Sequence, residues 1–317
     1  MDSEESEDGM ISSTGNGKIK ELVRIKKSSK ERAKRGVFLV EGVKMFREIP
    51  RGLCREVYAS EMFLQTAEGE TASAHAREWG CSVEVVSDSV FQYLSDTQSP
   101  QGILAVVRQM NYELKDLMAA EQADVEGLAD AVDQTDAADQ ADTAEPGKVS
   151  APLPTGKPAL LIVVLENLQD PGNLGTIIRT AEAAGASGIL LSKGCADLYN
   201  PKVTRSTMGS IFRLPFVYTD DLKGALLQLK GQGIRMLAAH LKGSVDLYEE
   251  SFVGPTALLI GNESRGLTDE TAALADQAIR IPMSGKVESL NAAVAAAVCM
   301  FEAKRQRCST TCYAIIT

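Results

Sequence analysis

Histidine is almost missing from this chain, with two residues in 317. The six cysteines (Cys54, Cys81, Cys195, Cys299, Cys308, Cys312) are scattered, and no two form a C-x-x-C pair. Such spacing supports neither a zinc site nor a disulfide framework, so no metal is expected. Cys299 reads as a small hydrophobe on the buried face of a helix. No apolar run approaches the ~20 residues that a membrane helix needs. The acidic start, Met1 to Asn16, has no apolar core and is not a secretory signal, so a cytoplasmic protein is expected. Neither a P-loop nor a G-x-G-x-x-G fingerprint occurs, which argues against NTP or NAD binding in the usual folds.

Positive charge is also in the minority, at a net −10, but it is unevenly placed. Residues 1–17 carry five acids and no base, and residues 110–157 carry eleven acids and three lysines, which leaves the remainder at +3. Within that remainder, Lys18 to Arg35 holds nine Lys/Arg against two Glu. Overall charge therefore misleads about partners, because the acids lie where the chain has least means to fold. Asp130, Asp133, Asp136, Asp139 and Asp142 recur every third residue among Ala, Gln and Thr, with no apolar stripe to offset the entropy of ordering. Pro146, Pro152, Pro154 and Pro158 then break any helix. A flexible linker is expected there; the alternative is an acidic arm that mimics RNA and competes for the basic block.

The organisation expected is a disordered acidic tail (1–17), a small domain (18–108), the acidic linker (109–157), a larger domain (158–307) and a Cys-containing tail (308–317). In the small domain a basic helix is predicted over Lys20–Arg35. Strands follow at Val37–Glu41, near Val57, at Val83–Val86 and over Gly102–Val107, with helical turns at Val43–Ile49 and Phe91–Leu94. From Ala159 strands alternate with helices. Leu160–Leu165 is uniformly apolar, as a parallel strand covered on both faces should be. Further strands are predicted near residues 188, 214, 235, 256 and 278, and a last helix over Leu290–Arg305 burying Leu290, Val294, Ala297, Val298 and Phe301. The fold class is α/β, a small mixed domain followed by a parallel sheet with helices on both sides.

Three junctions in the larger domain carry the chemistry. In the first, Asp170-Pro-Gly172 is a turn signal, and Asn173 reads as the N-cap of a helix over Asn173–Ala184. Arg179 falls opposite that helix's apolar stripe, where it is either a solvated surface residue or a guanidinium fork for phosphate or ribose oxygens. The second, Gly261-Asn-Glu-Ser-Arg-Gly266, follows a buried strand, so Glu263 needs a partner, an Arg or a cluster of backbone amides. In the third, Ile281-Pro-Met-Ser-Gly285 ends a strand and Ser289-Leu-Asn291 opens the last helix. Ser289 and Asn291 are plain N-cap candidates, and the free N–H groups there also suit an anion. Gly-bearing loops beside Ile281, Met283 and Leu290 would suit a flat, adenine-sized ligand. Physics alone does not name the reaction.

In order and spacing these segments resemble the three motifs of the SpoU/TrmH group of S-adenosylmethionine-dependent RNA ribose 2′-O-methyltransferases. Arg205-Ser-Thr-Met-Gly209 matches a further stretch of that group. Phe38-Leu-Val-Glu-Gly42 and Pro100-Gln-Gly-Ile-Leu104 are similar to the RNA-binding, ribosomal-protein-like domain often fused ahead of it. The resemblance implies a parallel sheet with a C-terminal trefoil knot, a homodimer, and S-adenosyl-L-methionine as cofactor. It also implies an RNA substrate, ribosomal RNA being favoured over transfer RNA. It assigns Asn173, Arg179, Glu263, Ser289 and Asn291 to catalysis, and Gly261, Ile281, Met283 and Leu290 to the donor. Base methylation on the same fold and a non-catalytic RNA-binding module are the competing readings. The Asn173/Arg179 pair disfavours the first and the intact donor motifs the second.

Overall fold

The computed structural model describes residues 9–119, 159–241 and 243–313. Most of the expected acidic linker, from residue 120 on, lies outside these, as do residues 1–8 and 314–317.

The first domain is built on β1 (Val37–Glu41), β2 (Cys54–Ser60), β3 (Ser82–Val86) and β4 (Ile103–Arg108), in the order β1-β4-β2-β3. β4 runs antiparallel to β1 and β2, and β2 pairs parallel with β3. Alternation sends Phe38, Val40, Ala105 and Val107 to one face and Leu39, Leu104 and Val106 to the other, and both faces are covered. The covering helices are α1 (Gly17–Lys27), α2 (Ser29–Arg35), α3 (Val43–Arg47), α4 (Glu61–Leu64), α5 (Ala67–Glu78) and α6 (Asp88–Leu94). The single basic helix expected over Lys20–Arg35 is thus two. Ser28 leaves helical geometry, and its hydroxyl accepts from the Glu31 N–H as the cap of α2. The tail expected to be disordered is partly built in, since Ile11 is buried and hydrogen-bonds alongside β3 through Val85 and Ser87. α4 and α5 have no apolar stripe long enough to be read from sequence; α5 buries only Gly69, Ala72, Ser73 and Ala76.

The second domain is one parallel sheet of seven strands in the order β7-β6-β5-β10-β8-β11-β9. These are β5 (Leu161–Leu165), β6 (Gly188–Ser192), β7 (Phe216–Thr219), β8 (Arg235–Ala239), β9 (Val245–Asp246), β10 (Thr256–Ile260) and β11 (Gln277–Arg280). The helices are α7 (Pro171–Ala184), α8 (Pro201–Thr207), α9 (Leu222–Gly231), α10 (Asp269–Ala272) and α11 (Ala292–Tyr313). β5 and β10 are buried at every residue, the environment their unbroken apolar sequence calls for. The chain leaves β5 toward β6 and β7 on one side, and β10 lies on the other. Their C-terminal loops therefore diverge and leave a crevice between them.

Three expectations for this half need correction. α11 buries Ala293, Ala296, Cys299, Met300 and Ala303, whereas Val294 and Phe301 are 49% and 48% exposed. The helix is apolar nearly all round in its first three turns, so periodicity could not choose a face. It also runs on to Tyr313, past the expected end. The segment after Arg108 is not linker at its start. The Tyr199 hydroxyl bonds both backbone groups of Met110, and the Tyr112 ring stacks edge-on to Phe216 at 5.5 Å. Leu117 is fully buried among Ile162 and Leu190, over a bare Gly188 where a side chain would collide with it. This segment has few apolar residues, but all of them are used.

The domains meet through one continuous core in which Phe38 packs on Tyr199 with ring centroids 4.6 Å apart. Beside it the buried Arg32 guanidinium pairs with Asp197 at 2.5 Å. At the far end of the second domain, Arg307 donates to the carbonyls of Ala159, Leu160, Phe252 and Gly254. Truncating Leu117 to Ala should cost about 2–5 kcal/mol in urea unfolding, the range for a large-to-small change in a packed core. A change near zero would mean that residues 110–118 do not belong to the second domain's core.

Candidate functional site

The crevice between the β5 and β10 loops is a cleft of about 650 Å³ whose lining includes Asp170, Asn173, Glu263, Ser289, Leu290 and Asn291. Local sequence explains how each arrives there. Asp170, not Asn173, is the N-cap of α7: its carboxylate accepts from the Asn173 N–H at 2.7 Å, and Pro171 occupies the first helical position. Asn173 thus sits one turn into the helix, with its own side chain free for other work. The Asp-Pro-Gly signal was readable but pointed three residues earlier than the expected cap.

That side chain joins two other segments. Asn173 Nδ2 donates to Glu263 Oε1 at 3.1 Å, and Asn173 Oδ1 accepts from Asn291 Nδ2 at 3.0 Å. Asn291 is meanwhile the cap of α11, its Oδ1 accepting from the N–H groups of Ala293 and Val294. Asn291 thus caps the helix and lines the cleft at once. The order Glu263–Asn173–Asn291 fixes each amide's orientation, because a carboxylate only accepts and so sets the first donor.

Glu263 finds its partner in amides, not in an Arg. It accepts from the backbone N–H of Asp170 at 3.0 Å and of Gln169 at 3.3 Å, and from Asn262 Nδ2 at 3.3 Å, besides Asn173. Partial burial pushes its carboxyl upward, but these hydrogen bonds, its own backbone N–H included, outweigh it and hold the group below the usual carboxylate range. These partners favour its anionic form. A second carboxylate, Glu166, was not foreseen. It is buried at the end of β5 and accepts from the Thr268 N–H and hydroxyl and the Thr271 hydroxyl at 2.7–2.8 Å. A lone Glu after an apolar strand carries no motif, so only the fold reveals it.

The other expected residues fall elsewhere. Arg179 is exposed on α7 and does not line the cleft. Gly261 is buried, and a Cβ there would overlap the backbone of Gly266 and Leu267; its need for glycine comes from the turn Asn262–Gly266, with Gly266 at φ 70°. Ile281 packs at the edge of the core, and Met283 is 38% exposed. Neither lines the cleft, so of the four expected donor residues only Leu290 does. Among the described residues no cluster of His, Cys, Asp and Glu could hold a metal ion, and no helix is long and apolar enough to cross a membrane.

Because the Glu263 carboxyl is depressed in the folded state, its contribution to stability is present above the ordinary carboxylate pKa and is lost as pH falls through the depressed value. Glu263→Gln should therefore lower the melting temperature at pH 7, and the gap from wild type should shrink on acidification. Parallel melting curves that keep a constant gap down to pH 3 would contradict the assignment.

Comparison with known proteins identifies the family. Residues 160–301 match the SpoU rRNA Methylase family, and residues 16–105 match the MRM3-like substrate binding domain. The 23S rRNA (guanosine(2553)-2′-O)-methyltransferase RlmP of Bacillus subtilis is 30% identical over 293 residues, 92% of this chain and 97% of that protein. An uncharacterized tRNA/rRNA methyltransferase of Synechocystis is 42% identical over 149 residues, 47% of this chain, so the match spans only about half (54%) of that relative's length. A crystal structure of an AdoMet-bound rRNA methyltransferase from Sinorhizobium meliloti superposes with a TM-score of 0.73 at 27% identity, over 93% of this chain and 97% of the other. Near-complete alignment with the Bacillus protein, through both domains, places the whole architecture in one lineage: the chain belongs to the SpoU rRNA methylase family.

Proposed function

We propose that this protein transfers a methyl group from S-adenosyl-L-methionine to a ribose 2′-hydroxyl of ribosomal RNA, in the cytoplasm where that RNA is assembled. The observation that carries the reading is the hydrogen-bonded series Glu263–Asn173–Asn291 at the mouth of the cleft, which unites the three motifs. A cleft of about 650 Å³ is of a size to take the donor, since ligand pockets run from ~300 to ~1,000 Å³. Ser289 and Leu290, which line the cleft, would hold it; Gly261, Ile281 and Met283 are assigned to the donor by the family resemblance alone. When bound, the donor supplies an activated methyl on sulfur, and loses it to the ribose oxygen. What remains for the protein is alignment and care of one proton.

Glu263 keeps Asn173 and Asn291 in one orientation, so the polar wall of the cleft is set before RNA arrives. A guanidinium presents N–H donors and no acceptor, so Arg179 does not take the proton. Its role is to stabilise the developing alkoxide and hold the neighbouring phosphate. Exposed and outside its own chain's cleft, Arg179 reaches a ribose best from a second copy. The exposed Val294 and Phe301 on α11, which packs along α7, supply an apolar face for that copy to cover. A homodimer, with the C-terminal chain threaded as a trefoil knot against α7, is therefore part of the reading. The RNA itself is met by the first domain, where Lys20, Arg24, Lys27, Lys30 and Lys34 are exposed on α1 and α2.

Mapping ribose methylation in ribosomal RNA from cells with and without this protein should reveal one lost 2′-O-methyl mark. Methyl groups on a base, or an unchanged map, would overturn the reading. Arg179→Lys should keep donor affinity and lose roughly 10²-fold in single-turnover rate, the scale for one oriented donor. Mixed, re-annealed Arg179→Ala and Ser289→Ala subunits should regain about a quarter of wild-type activity if each cleft draws its Arg from the partner. No recovery would place Arg179 in its own chain's site.

A further inference from the structure

The stretch Arg205-Ser-Thr-Met-Gly209 takes no part in the cleft. It ends α8 and begins the turn that follows, and its groups face two ways. Ser206 lies against Gly175 of α7, where any side chain on residue 175 would overlap its hydroxyl. Arg205 points to the first domain, with Nη1 3.7 Å from Glu41 Oε2 at the end of β1, buried and without a hydrogen bond. The chain then turns through two left-handed residues, Met208 at φ 51° and Gly209 at φ 92°. A methionine in that region is strained by the approach of its Cβ to the next carbonyl. A side chain at 209 would overlap Glu48.

Beyond the turn the contacts converge. The Ser210 hydroxyl donates to Glu182, and the Arg213 guanidinium donates to Glu182 and to Glu48. Glu48 closes α3 in the first domain, and Glu182 lies in the last turns of α7, the helix that carries Asn173 and Arg179. One planar fork therefore holds a carboxylate of each domain, an arrangement that a lysine's point charge does not reproduce.

We propose that residues 205–213 form a joint that sets the first domain against α7, and that Arg213, gripping Glu48 and Glu182, is a positioning residue for methyl transfer to RNA held by the first domain. The inference rests on the ribose-methylation reading above. Arg213 and Glu48 are 38% and 42% exposed, so their ion pair adds little to stability. Its worth is geometric. A displacement of about 1 Å at a reacting centre costs on the order of 10²-fold in rate.

The test is Glu48→Lys in the full chain, which breaks the first-domain arm and leaves the Arg213–Glu182–Ser210 arm intact. We expect the donor's dissociation constant and the RNA's to change less than about 3-fold, while single-turnover methyl transfer on ribosomal RNA falls about 10-fold or more. Glu48→Gln, which can still accept from Arg213, should restore most of the rate. Arg213→Lys serves should Glu48→Lys fail to fold, with the same expectation. Small-angle scattering supplies a readout independent of activity: the Lys variant should have a larger radius of gyration than wild type. Wild-type rates in Glu48→Lys, scattering curves that superpose, or a fall in RNA affinity matching the fall in rate would each overturn the joint. Wild type that methylates no ribose would instead defeat the functional reading, with the scattering comparison still deciding the joint.

Discussion

The cleft is assembled around one ionised carboxylate. Glu263 leaves the end of β10 and is met by backbone N–H groups of the β5 loop and by the amides of Asn173 and Asn262. Parallel strands deliver their loops to the same edge of a sheet, where the loop N–H groups have no ladder partner. A charged acceptor among them does what a sheet ladder does elsewhere. Remove it, and the β5 loop, the start of α7 and, through Asn173, the start of α11 lose their common reference. Glu166 performs the same service one layer deeper, tying β5 to the Thr268–Thr271 turn. Both carboxylates are thus taken up by partners within the protein.

Charge is divided with similar economy in the first domain. Of the basic residues between Lys18 and Arg35, Arg32 is buried against Asp197, Lys26 bonds the Leu94 carbonyl and Asp96, and Arg35 pairs with Glu21 and Glu31. Those form structure. Lys20, Arg24, Lys27, Lys30 and Lys34 stay at the surface, where a phosphate backbone meets them at no desolvation cost to the fold. A chain with ten net negative charges can still present a basic face, because the excess acids are concentrated in residues 1–17 and 110–157 and the remainder of the chain is at +3.

Much of this was legible in the residues, and the failures have physical causes. β5, β10 and α7 could be read because each has an unambiguous pattern, unbroken apolar in the strands and a 3.6-residue stripe closed by Gly185 in the helix. α11 could be located but not oriented, since Ala, Val and Cys surround its axis. Leu117 was hidden because one leucine in a polar segment has no period at all; only the bare Gly188 beneath it explains why it matters. The motif residues Asn173, Glu263, Ser289 and Asn291 were foreseen together and do come together. Gly261 owes its identity to its own turn, where a side chain would meet the backbone of Gly266 and Leu267. Arg179 was placed correctly on an exposed face, but sequence does not say whose cleft that face serves.

The four carbonyls held by Arg307 have a topological meaning as well. Two of them belong to Ala159 and Leu160, where the second domain begins, and Arg307 stands where its last helix leaves the core. Entry and exit of the domain are therefore stapled side by side, and the polypeptide between them is nearly a closed ring. Domains whose ends adjoin tolerate being cut and rejoined elsewhere. Here a short bridge from residue 307 to 159 would let new termini open at an exposed turn such as Gly231–Gly233, leaving the cleft's connections uncut.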